Sequence, residues 1–234
     1  IRDRDKWVYA SEKAELIELG MKSWLLDSRL TLSVALFDTD FSNLQVSAFD
    51  NDTITFLINN AASAHSRGIE VEGQYQVLDN LTLNYGLSLL DAEYDSYPDA
   101  QCSKFEPTTG ATCDRSGEDL EYASDWNVML GVDYAMAVID GFELALQAQT
   151  SFYDEYVIGY NAPNSVQDDF EKINLRVALR PVDGDWEVAA YGRNITDAKT
   201  VNTLSDGVAN GPTEQSFSSN RGDSYGLQFS YSFY

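Results

Sequence analysis

Apolar and polar residues alternate along most of the chain with a period of two, the pattern of a β-strand that has one apolar face. One of the clearest segments runs through Ile69-Glu70-Val71-Glu72, and the final segment runs through Leu227-Gln228-Phe229-Ser230. Segments of this kind begin near positions 17, 30, 68, 81, 126, 142, 173, 186 and 225. The pattern therefore predicts an all-β chain of about nine strands, most of them about ten residues long.

Two kinds of connection alternate between these strands. Short connections rich in Asp, Asn and Gly, the residues that tight turns demand, lie at 26–28, 78–80, 138–141 and 182–185. Long connections lie at roughly 42–64, 97–123, 159–169 and 196–222. In an antiparallel up-and-down meander, alternate connections fall at opposite ends of the sheet. This asymmetry is typical of transmembrane barrels, which have short periplasmic turns and long extracellular loops.

Alternation alone does not decide which face of the strands meets water. A soluble sandwich packs its apolar face inward, whereas an outer-membrane barrel turns that face to lipid. Strands of about ten residues match the tilted span of a bilayer and exceed the length usual in soluble sheets. Aromatic residues also gather near strand ends, as interfacial girdles do, at Tyr75, Tyr85, Trp126, Tyr134, Phe142, Phe152 and Trp186. These features favour an antiparallel meander that is part of a transmembrane β-barrel.

Composition restricts the partners that the chain is expected to bind. The formal net charge is −23, from 38 acidic and 15 basic residues. This argues against nucleic acid as a partner, because phosphate binding needs a basic face. The aromatic content of 12% argues against disorder. No apolar run approaches the roughly 20 residues that a membrane-spanning helix needs.

The two cysteines, Cys102 and Cys113, lie eleven positions apart in a stretch rich in Pro, Thr, Gly and Asp. A zinc site or a C-x-x-C redox pair needs more ligands or closer spacing. The single histidine, His65, does not supply them. A disulfide that closes a loop in an oxidising compartment is the preferred interpretation, and two unrelated free thiols are the alternative.

Motifs that carry catalysis or bind cofactors are missing from the sequence, which has no G-x-G-x-x-G, P-loop, H-E-x-x-H or G-x-S-x-G. Because most catalytic triads use a histidine as the acid–base group and this chain has only one, we expect neither an enzyme nor a cofactor. His65 precedes Arg67-Gly68 at an expected loop-to-strand border and is interpreted as a rim or loop residue. The acidic clusters lack EF-hand spacing. They predict a solvated acidic rim, with weak divalent-cation binding as the alternative, and include Asp91, Glu93, Asp95, Asp99, Asp114, Glu118, Asp119 and Glu121.

The long connections are also rich in Tyr and Asn. Aromatic and amide side chains suit stacking and hydrogen bonding to a sugar, a chelate or a polyphenol-like ligand, and they equally suit ordinary loop packing. The candidate ligand contacts in these connections are Tyr97, Phe105, Tyr122, Tyr156, Tyr160 and Asn161.

Several segments, taken in order, resemble the barrel domain of the TonB-dependent receptor family. Glu18-Leu19-Gly20-Met21-Lys22 is similar to the family's E-x-G-x-K strand. Asn59-Asn60-Ala61 followed by Arg67-Gly68-Ile69-Glu70-Val71-Glu72 is similar to its N-A and R-G-x-E-x-E segment. Asn194-Ile195-Thr196-Asp197 resembles the N-L-x-D box near the family's end. The resemblance covers nearly the whole chain and places it in the C-terminal part of the barrel.

The resemblance implies a part in active nutrient uptake across the bacterial outer membrane. Residues 1–234 would form the C-terminal portion of the barrel domain, with the plug domain and the first barrel strands absent. A receptor barrel of this type has about 22 strands, so this chain would contribute wall, lumen lining and outer loops. The implied partners are outer-membrane lipid and lipopolysaccharide, the TonB system acting through the missing plug, and a small nutrient. That nutrient would be a siderophore complex, haem, cobalamin or an oligosaccharide.

Two other functions stay open at this point. One is a small self-contained outer-membrane barrel, which would need an even number of strands that close into a ring. The other is a soluble secreted β-sandwich or lipocalin-like binding module, which would stay monodisperse in buffer without detergent.

Overall fold

The computed structural model describes residues 8–50, 55–106, 112–159, 165–205 and 214–233. These residues form strands, turns and loops, and the expected all-β class is confirmed. Across these ranges we find no helix with the length and apolar character needed to cross a membrane. The strands are β1 (Lys13–Leu25), β2 (Leu30–Asp50), β3 (Thr55–Leu78), β4 (Leu81–Ser96), β5 (Ala100–Gln101), β6 (Thr112–Cys113), β7 (Trp126–Ile139), β8 (Phe142–Tyr153), β9 (Tyr156–Val157), β10 (Val166–Gln167), β11 (Phe170–Pro181), β12 (Trp186–Arg193), β13 (Val201–Ser205), β14 (Ser216–Ser219) and β15 (Ser224–Tyr231).

Nine of these strands form one antiparallel sheet in the order β1-β2-β3-β4-β7-β8-β11-β12-β15. The predicted meander of nine long strands is therefore confirmed. The six short strands pair as β5–β6, β9–β10 and β13–β14 inside the long connections. We call the end of the sheet that carries the short turns the turn end, and the opposite end the loop end. The sheet is open in the described part of the chain, because β1 and β15 each have a neighbour on one side only.

The strand register brings the apolar residues of neighbouring strands onto one face of the sheet. In one row across four strands, Leu36 pairs with Ile69, which pairs with Leu89, which pairs with Trp126. We call this side the apolar face and the opposite side the polar face. The apolar face is open: Ile69 is 40% exposed and Leu227 is 82% exposed. A soluble sandwich buries such a face, so the observed exposure matches a face that meets lipid.

The pairing is staggered across the sheet, as barrel closure requires. Leu30, the first residue of β2 at the turn end, is linked through successive pairs to Tyr225, near the loop end of β15. Each strand is thus displaced along its axis relative to the one before it. Strands with this stagger run at an angle to the barrel axis, typically about 35–45°.

The first long connection is shorter than the sequence predicts. Residues 42–64 were expected to be a loop, but β2 continues to Asp50 and β3 begins at Thr55, and these two residues pair. The alternation of apolar and polar side chains stops near Phe41, whereas backbone pairing between β2 and β3 does not depend on that alternation. An irregularity near Asn43, which has a positive φ of 56°, interrupts the register without ending the strand. His65 therefore lies within β3 and not at a loop border.

Candidate functional site

The polar face of the sheet carries a concave hollow of about 500 Å³. Strands β4, β7, β8, β11, β12 and β15 contribute to its walls. The side chains that line it are mainly polar and include Asn84, Asp133, Gln147, Gln149, Asn174, Arg176, Tyr191, Arg193 and Gln228. A hollow with few apolar side chains and several hydrogen-bonding groups suits a water-filled lumen.

Hydrogen bonds between neighbouring strands connect the groups of this hollow. Asp133 accepts from the amide of Asn84 at 2.6 Å and from the amide of Gln147 at 2.8 Å. Arg176 forms an ion pair with Glu187 on the next strand. Each of these pairs joins adjacent strands. Hydrogen bonds and an ion pair, and not apolar packing, therefore hold these polar side chains in place.

Four basic residues lie on the polar face of β11 and β12, and two of them, Arg176 and Arg180, are paired with the carboxylates of Glu187 and Glu143. Lys172, Arg176 and Arg180 recur every four residues along β11 and so share one face, and Arg193 lies on the adjoining strand. We call these four residues the cation strip. Among the ion pairs formed within the described residues, none involves Lys172. Its ammonium lies 4.9 Å from the ring centre of Phe170, within the range of a cation–π contact.

Four aromatic residues meet at the loop end of the polar face, directly beyond the cation strip. We call them the rim cluster: Tyr122, Tyr153, Tyr156 and Phe170. The rings of Tyr153 and Phe170 stack with centres 4.8 Å apart, because these residues are paired across β8 and β11. Tyr156 meets Phe170 edge to face at 6.4 Å and contacts Tyr122 at 6.0 Å. The cluster places aromatic rings and phenolic hydroxyls at the loop end of the polar face.

The backbone of Tyr122 lies in the left-handed region, with φ at 64°. Such a conformation is uncommon for a bulky residue and costs of order 1–3 kcal/mol. The amide of Tyr122 donates to the carbonyl of Val157 at 2.7 Å and so fixes the loop beside Tyr156. The side chain is still 47% exposed. Burial raises the pKa of the Tyr156 hydroxyl, which therefore stays a neutral hydrogen-bond donor at physiological pH.

Residues 97–106 and 112–121 form a second ordered unit at the loop end, which we call the disulfide lobe. Cys102 and Cys113 are joined by a disulfide, with Cα atoms 5.1 Å apart. The guanidinium of Arg115 is almost fully buried and donates to the carboxylate of Glu106 at 2.6 Å. Tyr97 packs against Ala62 and Ala100 in a small core of this lobe. The lobe is therefore held by a covalent link, a buried ion pair and apolar contacts.

The structure separates the predicted ligand contacts into two groups. Tyr122 and Tyr156 come together in the rim cluster, whereas Tyr97 and Phe105 belong to the disulfide lobe. Tyr97 is buried there, beside the ring of Tyr94 at 5.0 Å. Tyr160 and Asn161 lie outside the described residues. Tyr153 also belongs to the Tyr-rich connections, but the sequence did not single out Phe170 or Lys172, whose proximity to Tyr153 depends on the pairing of β8 with β11.

One group of potential metal ligands in this region does not form a metal site. Cys102, Cys113 and Glu106 lie close enough to share an ion. Both sulfur atoms are engaged in the disulfide, however, and a thiolate is the form of cysteine that ligates metals.

The sequence of residues 9–195 matches the protein family described as TonB dependent receptor-like, beta-barrel. The match covers most of the chain. This family and its fold are those of transport receptors of the outer membrane of Gram-negative bacteria, and not those of enzymes.

Solved structures share the fold at low sequence identity. The ferric yersiniabactin uptake receptor FyuA from Yersinia pestis is 15% identical with a TM-score of 0.75, over 97% of this chain and 31% of that receptor. The siderophore receptor PiuA from Acinetobacter baumannii is 18% identical with a TM-score of 0.67, over 92% of this chain and 28% of the receptor. The ferric-catecholate import receptor Fiu from E. coli, in its closed form, is 17% identical with a TM-score of 0.61, over 94% and 27%. The chain thus spans about a third or less of these receptors, and at this identity the likeness shows the fold alone.

Proposed function

The chain belongs to the TonB-dependent receptor family, and from this premise we propose that it forms part of an outer-membrane receptor for a ferric siderophore. The observation that carries the proposal is the rim cluster of Tyr122, Tyr153, Tyr156 and Phe170, placed directly beyond the cation strip on the polar face. Aromatic rings stack on the flat chelating groups of a siderophore, and cations attract the negative charge that many ferric chelates carry.

The distribution of charge supports an anionic ligand at this place. The chain as a whole carries a net charge of −23, so an anion would be repelled from most of its surface. In the cation strip, Arg176 and Arg180 are paired with Glu187 and Glu143. Lys172, which stands nearest to the rim cluster, is in none of the ion pairs formed within the described residues and would supply the positive charge. A ferric chelate would bind at the opening, with its rings against Tyr122 and Tyr156, and would be drawn inward by the positive charge below.

The receptor would lie in the outer membrane, with lipid and lipopolysaccharide against the apolar face. The open edges of β1 and β15 cannot face hydrocarbon, since each unpaired backbone group there would cost several kcal/mol. We propose that further barrel strands pair with both edges, as in the longer receptors of this fold. Energy from TonB would reach the lumen through a plug domain. A small self-contained barrel would need β1 and β15 to pair, and in the described part of the chain they do not.

The test measures ligand binding to the full-length protein in detergent. Ferric catecholate, hydroxamate and citrate chelates are added in turn, and binding is detected as quenching of the protein's aromatic fluorescence. Tyr122→Ala and Tyr156→Ala should each weaken binding of the preferred chelate by about tenfold or more, as loss of an aromatic anchor does. The matched control is Tyr231→Ala, which removes the same side chain from the apolar face at the turn end. The proposal fails if no ferric chelate binds, or if the control weakens binding as much as the rim variants do.

A further inference from the structure

The apolar face of β2, β3 and β4 changes from apolar to charged toward the loop end. The last apolar row ends at Leu89. Beyond it, the register places two charged rows on the same face: Asp38, Arg67 and Asp91, then Asp40, His65 and Glu93. These rows lie outside the apolar belt, on the opposite side of the sheet from the rim cluster. They form a site that is separate from the candidate ligand site.

His65 is buried in this patch and its ring is held in one orientation. The residue is only 8% exposed, and Nδ1 lies 2.7 Å from a carboxylate oxygen of Asp95. Asp95 reaches His65 because it is the extra residue of a β-bulge, where the register of β3 with β4 shifts between Ser63 and Ala64. With Nδ1–H donating to this carboxylate, the lone pair of the neutral ring is on Nε2.

The second ring nitrogen of His65 is aimed at two further carboxylates. Nε2 lies 3.6 Å from Oδ1 of Asp91, which is beyond hydrogen-bond distance. Glu93 is the residue paired with His65 across the strands. One ligand atom from each of the three residues lies within 4.8 Å of the other two. Ligand atoms around tetrahedral zinc, each about 2.0–2.1 Å from the metal, are separated by roughly 3.3 Å. A bound zinc ion would have to draw the exposed Asp91 and the half-exposed Glu93 closer to Nε2 to reach that spacing.

Charge at the patch also favours a cation. Arg67, the neighbouring positive group, is bound on the other side to Asp38 at 2.9 Å and to Asp40 at 3.7 Å. The backbone of Glu93 forms an isolated bridge with Asp119 of the connecting segment. The carboxylates of Asp91 and Glu93 thus lie on the Nε2 side of the ring, while the guanidinium of Arg67 is ion-paired to β2.

We propose that His65 Nε2 and the carboxylates of Asp91 and Glu93 bind one divalent transition-metal ion, and that zinc is the ion this ligand set suits. Imidazole and carboxylate are ordinary zinc ligands, and three protein ligands leave the fourth position to water. Asp95 is a positioning residue: a carboxylate bound to the other ring nitrogen fixes the tautomer and strengthens the histidine as a ligand. The ion would link β3 to β4 beyond the point where β4 stops pairing with β7. This inference does not depend on the nature of the transported ligand.

The test is zinc binding to the full-length protein in detergent, after removal of metal with a chelator, measured by competition with a fluorescent zinc chelator. The wild type should bind about one zinc ion more than His65→Gln binds. Glu93→Gln should weaken this binding by about tenfold or more, and Asp95→Asn by about 10–100-fold. Zinc binding that is retained in Asp95→Glu but weakened in Asp95→Asn would show that the carboxylate of Asp95 positions the His65 ring. A merely structural role of Asp95 would not give this difference.

The matched control is Glu15→Gln, which removes one negative charge from the same face, two strands away on β1 and outside the ligand set. It should change the zinc affinity by no more than about twofold, since exposed charges interact weakly in water. The heat-dependent shift in gel migration reports whether each variant has folded, and Glu93→Gln carries the test if His65→Gln does not fold. Equal zinc binding by the wild type and the ligand variants would overturn the proposal. An equal loss in Glu15→Gln would also overturn it, because it would indicate general attraction of cations to an acidic surface.

Discussion

Replacing Leu130 with lysine tests whether the apolar face lies against lipid. Leu130 is 49% exposed on that face and stands midway between Trp126 and Tyr134 on β7. These aromatic residues are eight positions apart, which is about 26 Å along a strand at about 3.3 Å per residue. At a strand tilt of about 40°, this corresponds to about 20 Å of membrane depth, most of an apolar band of about 25 Å. Leu130 therefore lies near the midplane.

The expected loss of folding free energy in Leu130→Lys follows from this depth in the membrane. A lysine facing lipid at the midplane of a transmembrane barrel destabilises it by about 2–4 kcal/mol. At about 1.4 kcal/mol per tenfold change, the ratio of folded to unfolded protein falls by about 30- to 1000-fold. On a surface that meets water, the same substitution changes the free energy of unfolding by about 0.5 kcal/mol or less.

The control for Leu130→Lys is Gln149→Lys on the neighbouring strand. Gln149 is exposed on the polar face, opposite Gly131, and a lysine there meets water. Both variants of the full-length protein would be unfolded with denaturant in lipid vesicles and followed by tryptophan fluorescence. We expect the loss of free energy for Leu130→Lys to exceed the loss for Gln149→Lys by about 2 kcal/mol or more. Equal losses in the two variants would refute the assignment of the faces.

Three further predictions concern the disulfide lobe, a turn and the histidine. Arg115→Ala removes the buried guanidinium that pairs with the Glu106 carboxylate, so the lobe should lose about 3–5 kcal/mol of local stability. This loss would be seen as faster amide exchange in the lobe, and unchanged exchange would contradict the prediction. Leu26→Gly should raise the free energy of unfolding by about 0.5–1 kcal/mol, because Leu26 has a φ of 52° that glycine adopts without strain; a lower denaturation midpoint would contradict this. The hydrogen bond that His65 Nδ1–H donates to Asp95 raises the pKa of His65 above 6.5. The stabilisation from this pair is thus complete below pH 6.5 and is lost as the pH rises through the raised pKa. Asp95→Asn should lower the pKa in a proton NMR titration of the metal-free protein, and an unchanged pKa would argue against the contact.

The strands and their faces could be predicted from the sequence because apolar and polar side chains alternate within each strand. In β11, Ile173, Leu175 and Val177 alternate with polar residues, and the structure places these three on the apolar face. The sequence also located the short turns, since Asp, Asn and Gly adopt the backbone conformations of tight turns more readily than most other residues. The alternation of short and long connections also predicted that the short turns lie at one end of the sheet and the long connections at the other.

The sites were less accessible to sequence reasoning because they depend on pairing between strands. Tyr153 and Phe170 are seventeen positions apart, and only the register of β8 with β11 stacks their rings. His65 meets Asp95 through a single-residue bulge, and nothing in the local pattern of β4 marks where that extra residue falls. The sequence did indicate that Tyr122 and Tyr156 lie in connections at the same end of the sheet, but not that their rings would meet.

The proposed function requires that the receptor to which this chain belongs imports a ferric siderophore with energy from TonB. The most direct measurement is uptake of radioactive iron, supplied as the ferric chelate that binds best, by cells that express the full-length protein as their only receptor for it. We expect uptake that is saturable, abolished in cells without TonB, and reduced by about tenfold or more in a Tyr122→Ala, Tyr156→Ala double variant that is still present in the outer membrane. Uptake that continues at the same rate without TonB, or in cells that lack the protein, would contradict the account.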